Sequence, residues 1–234
     1  MVMRQAVGRT LMLSALAVLA LAGCAEAESE PSIAEFVFEQ LGPQSCELMP
    51  VEMDGPRLRA ITAENPDAPV AQGTLSGGLE GAFFGGGVYG ADADGGLIVG
   101  VQGAMVSAAD DSVQHLCLLA VSLGPVSPEG EDAAIVPEAD MDTAAEGSFI
   151  APYQIWEKDE AGAPRRLAIG TASSGTARFA LNAAGQLSGT LEVELSQDDA
   201  KALPLTATLT LPLAENIISP VPRLKQNDTQ EIAE

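Results

Sequence analysis

Cations, aromatic side chains and histidine are all scarce in this chain, and each scarcity removes a class of function. Eleven Lys and Arg stand against 33 Asp and Glu, for a formal net charge of -22. A polyanion of this kind repels phosphate backbones, so nucleic acid is excluded as a partner. The single histidine, His115, cannot assemble a zinc ligand set with so few cysteines. There is no G-x-S-x-G and no S-x-x-K, so serine-based hydrolysis lacks its machinery. Aromatics make up 4% of the chain, too few for a wide sugar-stacking platform. Nor is there a long apolar run. Leu11 to Ala20 is apolar apart from Ser14, about half of the roughly 20 residues that a spanning helix needs.

What that short run does is set by its flanks. Arg4 and Arg9 precede it, which makes the charged n-region and short h-region of an export signal. It ends in Leu21-Ala22-Gly23-Cys24, a leucine and two small residues before a cysteine. This stretch resembles the lipobox of bacterial lipoprotein precursors. The resemblance implies a signal peptide over residues 1–23, cleavage between Gly23 and Cys24, and a diacylglycerol thioether on Cys24 that anchors the chain to the membrane. An ordinary secretory signal with a chance cysteine is the competing interpretation. Several acyl chains, at about 0.8 kcal/mol per buried methylene, make a stable anchor where one would not. Ala25, rather than Asp, follows the cysteine, which in this family points to the outer membrane where the organism has one. Arg4 and Arg9 leave with the leader, so the -22 of the whole chain becomes -24, because every acidic residue lies after Cys24.

With Cys24 committed to lipid, Cys46 and Cys117 remain. An exported protein meets an oxidising compartment, so a disulfide between them is expected. Closing so long a loop is worth roughly 4 kcal/mol on the chain-entropy model. The alternative is a catalytic Cys117 with His115 two residues away on the same strand face. That thiol lies in an apolar run, where an unpaired cysteine is inert.

Residues 24–31 form a lipidated cysteine and an acidic tether. Ser32-Ile-Ala-Glu35 is a capping-box pattern, and Ile33, Phe36, Val37, Gln40 and Leu41 share one helical face before Gly42. A short N-terminal helix is expected there. Most of residues 32–218 reads as β. Leu187, Gly189, Leu191, Val193 and Leu195 alternate with Ser188, Thr190, Glu192, Glu194 and Ser196; Leu205 to Leu213 alternate with threonines and Pro212. Period-two patterning gives strands with one buried and one wet face. With "TARFAL" ahead of the turn at Asn182 to Gly185, residues 176–213 are expected to form a three-stranded meander, with Pro212 marking an edge strand or a strand end. Further strands are expected over 82–88, 97–106, 115–123, 149–157 and 166–172. The run 115–123 is apolar on both faces and hence central. The expected class is all-β: an antiparallel β-sandwich, or alternatively a β-barrel. Residues 124–147, rich in Pro, Glu, Asp and Ala, read as a long acidic loop, and 219–234 as a disordered tail. The pattern G-x-L-S-G-x-L-E occurs at Gly73 and again at Gly185, and reads as two similar passages from turn to strand.

Three motifs bear on chemistry. "GGGVYG" satisfies G-x-G-x-x-G, but the letters that follow turn and extend, so no helix opens to hold a pyrophosphate. Asp92-Ala-Asp94-Gly95 resembles the opening of a calcium loop, with Asp110 and Asp111 in the next turn placed to approach it. The reading preferred over a metal site is a solvated hairpin tip, and calcium is the one cofactor suggested. Glu192 and Glu194 share a strand face, as a glycosidase acid and base do, yet their threonine neighbours make that face an ordinary wet surface. The expected function is therefore that of an acidic, non-catalytic envelope lipoprotein, a binding or structural module for an envelope protein or polymer. A calcium-dependent adhesion domain and a carboxylate hydrolase are the alternatives.

Overall fold

The computed structural model describes residues 32–41, 71–91, 94–127, 129–183, 185–197, 201–211 and 213. Among the described residues one α-helix, α1 (Ile33–Leu41), precedes eleven strands: β1 (Ala71–Leu75), β2 (Gly81–Ala91), β3 (Leu97–Ser107), β4 (Val113–Ser122), β5 (Glu129–Ile135), β6 (Phe149–Ile150), β7 (Pro152–Lys158), β8 (Pro164–Thr171), β9 (Ser174–Leu181), β10 (Leu187–Gln197) and β11 (Lys201–Leu211). The all-β class with a short N-terminal helix is as the patterning requires. In place of two separate sheets, one continuous sheet bends until its ends meet. Its order runs β3-β2-β1-β11-β10-β9-β5-β6-β4, and β4 pairs back onto β3. Among the described strands every pairing is antiparallel except β5 with β6, which touch in parallel at Ile135 and Phe149; an isolated parallel bridge also joins Tyr89 of β2 to Leu213. β4 passes from β6 to β7 along one edge, and β8 hangs outside β7.

The ring has an inner face that is filled. Phe83, Met105, Leu116, Leu118, Phe149, Ile155, Leu191 and Leu203 are wholly buried in one apolar cluster, with Phe149 and Phe179 meeting edge to face at 5.6 Å. Room for these rings is made by glycine. Gly85 pairs with Gly103, and a Cβ on Gly103 would stand 2.9 Å from the Phe83 ring. The "GGGVYG" stretch thus lies inside β2 with no helix behind it, and its glycines serve close packing.

The meander of β9, β10 and β11 is in register as expected, with Leu191 opposite Ala177 and Ala207. The turn before β10 closes through Asn182, and Gly185 takes a φ of 73° that suits glycine. Pro212 follows the end of β11, which is an inner strand between β1 and β10. The polar alternates Thr190, Glu192, Glu194, Thr206 and Thr208 are exposed on the outside of the ring. Apolar inside and polar outside is the reverse of a membrane-spanning barrel's arrangement.

β4 is apolar on both faces for two different reasons. Leu116, Leu118 and Ala120 point into the ring, while Cys117, Leu119, Val121 and Leu123 point outward and are buried with Val37 and Phe38 of α1. The helix is a lid on the outside of the sheet. Its capping box is complete: the Ser32 hydroxyl accepts from the Glu35 N–H at 3.2 Å, and the Glu35 carboxylate accepts from the Ser32 N–H at 3.1 Å. A second carboxylate, Glu138, accepts from the Ile33 N–H at 3.2 Å and lies 3.4 Å from the Thr171 hydroxyl of β8, fixing where the helix begins on the sheet. The helical face is rotated slightly from the one expected, since Ala34 and Phe38 are buried and Phe36 only partly so.

Two strands are missing from the sequence-based expectation. Residues 124–147, expected as one loop, contain β5 and a 3₁₀ turn at Glu138–Thr143. β5 has no apolar alternation to reveal it; β9 supplies its partner backbone. At the irregularity between Glu129 and Asp132, Gly130 adopts a φ of 85° and its carbonyl accepts from the Arg178 guanidinium at 2.6 Å. β1 is the other, and it also breaks the G-x-L-S-G-x-L-E echo. The first copy begins in a strand and ends in a turn, whereas the second begins in a turn and ends in a strand.

Candidate functional site

Among the described residues, those expected to bear chemistry lie in separate parts of the sheet. Asp94 sits in the turn before β3 and Asp110 and Asp111 in the turn after it. Those turns lie at opposite ends of an eleven-residue strand, about 30 Å apart at the usual rise per residue. The expectation that they approach one another is overturned by this topology: consecutive hairpin turns point to opposite ends of a sheet. Asp92 lies outside the described residues. Asp110 is occupied by its own turn, accepting from the Ser112 N–H at 3.1 Å and hydroxyl at 2.7 Å. The Ser112 hydroxyl, followed by Ser107, holds its carboxyl below the usual aspartate range. Among the described residues no group of three or more His, Cys, Asp or Glu is placed to hold a metal.

Glu192 and Glu194 project from the outside of β10 between Thr176 and Ser174 on one side and Thr206 and Pro204 on the other. Both are exposed.

His115 and Cys117 do share a face, the outer face of β4. Cys117 is 5% exposed beneath α1. Cys46 lies outside the described residues.

Beyond the edge of that covered region a row of side chains crosses the sheet. Register places His115 of β4 opposite Trp156 of β7, and Trp156 opposite Arg166 of β8. A shift in the β7–β8 register between Ile155 and Trp156 decides the last member. Ile155 pairs with Ala168 and Trp156 with Arg166, so Leu167 is the extra residue of a bulge and the guanidinium, rather than leucine, comes beside the indole. The Arg166 guanidinium carbon lies 5.9 Å from the centre of the indole ring, within reach of a cation–π contact worth about 0.5–1 kcal/mol at an exposed site. The indole N–H donates to the Gln154 side-chain carbonyl at 3.1 Å, and Gln154 is itself buried next to Cys117. Lys158 alternates onto the same outer face two residues beyond Trp156.

The electrostatics of this row differ from those of the rest of the molecule. Burial, and then the nearby Lys158 charge, push the His115 imidazole below its ordinary range, so it is neutral at pH 7. Lys158 and Arg166 are exposed. On the opposite parity of the hairpin, Arg165 is paired with Glu157. The Asp159 carboxylate closes the hairpin turn by accepting from the Ala161 N–H at 2.9 Å and the Ala163 N–H at 2.8 Å. An indole, two cations, an imidazole and an amide thus share one face of the sheet.

Trp156, Lys158 and Arg166 were not singled out from the sequence. The available signal was Arg165-Arg166 together with the lone Trp in a chain poor in cations, but the bulge that aligns them leaves no mark in the order of residues. No family model, no curated protein and no solved structure matches this chain.

Proposed function

We propose that this protein is a cell-envelope lipoprotein, lipidated on Cys24, whose acidic β-domain is a non-catalytic binding or structural module at the membrane surface. The observation that carries this is the spacing between two signals. The lipobox Leu21-Ala22-Gly23-Cys24 is followed by seven residues, and then by Ser32, which caps the first helix of the fold. A leader, an attachment point, a short polar tether and a capped first element stand in the order that anchoring a folded domain requires. The non-catalytic reading is supported by what surrounds each reactive candidate. Cys117 is under a helix, Asp94 is far from Asp110, and Glu192 and Glu194 stand in water among threonines.

A Cys46–Cys117 disulfide belongs to the same proposal, since an exported chain meets an oxidising compartment. α1 ends at Leu41 while packed over the face that holds Cys117. Cys46 follows five residues later, a reach of about 17 Å. Non-reducing peptide mapping should recover one peptide pair joined through Cys46 and Cys117, and two free thiols would remove this part.

The test of the whole is mass spectrometry of the protein recovered from its native membrane. The expected product begins at Cys24 and carries a diacylglyceryl mass, and a Cys24→Ser chain should retain its leader. A chain that begins elsewhere with a free thiol at Cys24 would overturn the assignment.

A further inference from the structure

We infer that α1 is the resident occupant of a helix-binding groove on the outside of the ring, and that this groove takes an amphipathic helix of a partner protein when α1 lifts. This deepens the binding-module reading by giving it a site and its partner a chemistry. The groove floor is Leu119 and Val121 of β4 with Ile98 of β3 and Ile150 of β6, and Met141 of the 3₁₀ turn and Ile169 of β8 pack against the same cluster. One end is polar. Glu138, in the same turn as Met141, accepts from the Ile33 N–H at 3.2 Å. A carboxylate placed there complements the free N–H groups and the positive end of a helix, so the groove fixes which way a helix lies. What fits is read from α1 itself. Ala34, Val37 and Phe38 are its buried residues, the i, i+3, i+4 spacing by which a helix anchors in a groove, and Ser32 caps its start.

The helix is separable from the ring for three reasons. The ring closes by strand pairing, β4 onto β3, without any part of α1, and the inner and outer apolar clusters share no residue. Leu116, Leu118 and Ala120 therefore stay sealed when the outer face of β4 is uncovered. Next, α1 has nine residues, fewer than the roughly 12–15 that an isolated helix needs in water. It is helical only while seated, and lifting it returns the conformational entropy of the whole segment. Finally, among the described residues its one hydrogen bond to the rest of the fold is the Glu138 contact in the first turn, since the Ser32 and Glu35 bonds are internal to it. An element held this way opens at a lower free energy than the strands beneath it. A Cys46–Cys117 bridge would tie the chain five residues past the helix end and leave the helix itself to lift. Charge selects the occupant. A second copy carries the same helix, but on a domain of the same net charge of -22, and two such polyanions repel.

Native-state hydrogen exchange on the full chain tests the lifting. The amides of Phe36 to Leu41 should exchange through an opening whose urea dependence is no more than about half that of Leu191 and Leu205 in the ring. Exchange of α1 only together with the ring overturns the inference. The groove is tested in the full chain carrying Val37→Asp and Phe38→Asp, which keep α1 off it. A peptide of residues 32–41 is added while the amide resonances of Leu119 and Val121 are followed by NMR. They should return, saturably, toward their parental positions, and the same peptide with both substitutions should move neither. Glu138→Gln in that chain should weaken the peptide about two- to five-fold. If the doubly substituted chain does not fold, excess peptide is added to the parent, where it should displace α1 and raise exchange at Phe36 to Leu41. No saturable response to the peptide overturns the groove. A concentration-dependent dimer of the parent without peptide overturns the partner assignment, because the second helix then comes from another copy. Lipidation of Cys24 is read separately by mass spectrometry and enters none of these measurements, so the anchor and the groove can fail independently.

Discussion

Removing a single oxygen, Tyr153→Phe, tests how the ring is held where its strands run out. β9 stops pairing with β10 at Glu194, while β10 continues to Gln197. The backbone of Ser196 therefore has no strand on that side, and the Tyr153 hydroxyl takes the place of one. It donates to the Ser196 carbonyl at 2.7 Å and accepts from the Ser196 N–H at 2.9 Å. The ring is 3% exposed in the inner core, so phenylalanine fills the same space and only the two hydrogen bonds are lost. Each is worth about 0.5–1.5 kcal/mol, and because Ser196 is exposed water can partly replace them, which gives about 1–2 kcal/mol in total. For a domain of this size that lowers Tm by roughly 3–7 °C. Thermal and urea unfolding followed by Trp156 fluorescence would measure it, with an unchanged m-value. Alkaline pH supplies a second readout. Burial raises the Tyr153 pKa above the ordinary tyrosine value, outweighing the Ser196 hydrogen bonds. The unfolded chain then ionises first, so stability is full below about pH 10 and declines above it. Tyr153→Phe should flatten that decline. A variant that melts within 1 °C (~0.3 kcal/mol) of the parent and keeps the parent's alkaline slope would refute the strand-substitute role.

Three other outcomes follow from the same structure. Ser32→Ala removes the reciprocal cap of α1 and should cost about 1 kcal/mol, and hydrogen exchange should rise first in α1 and in Cys117 to Val121 of β4 beneath it. His115→Gln should change the acid limb of stability: burial, with Lys158, keeps the folded imidazole below its ordinary pKa, so the parent loses stability as pH falls below about 6.5, and the variant should lose less between pH 6.5 and 5.5 in urea titrations. Gly103→Ala forces a Cβ against the Phe83 ring and the neighbouring β2 backbone. Overpacking of this kind costs about 1–3 kcal/mol, and trimming the ring in a Phe83→Leu background should recover part of it; full parental stability for Gly103→Ala alone would refute the close approach.

How much of this was legible beforehand differs by element. Strands β10 and β11 announce themselves because their apolar residues keep a fixed parity, and β3 and β4 because each is a nearly continuous apolar run. The capping box at Ser32 and Glu35 is equally local, since donor and acceptor lie three residues apart. β5, with the letters EGEDAAI, is not legible. It becomes a strand because β9 offers unpaired backbone, and because Arg178 reaches across to the Gly130 carbonyl in its bulge. Asp94 is separated from Asp110 and Asp111 for the same kind of reason: nearness in sequence is not nearness in space, and an eleven-residue strand lies between them.

Whatever depends on side-chain type and short spacing was determined by the sequence alone: the acidic charge, the helix cap and the parity of the strands. The tertiary structure decided how those parities are used. One face of β4 is sealed by the ring and the other by α1, and a one-residue bulge in β8 sets Arg166 rather than Leu167 beside Trp156. Pairing register and sheet closure arise from contacts between residues far apart in the chain, and no local pattern encodes which backbone a strand will find.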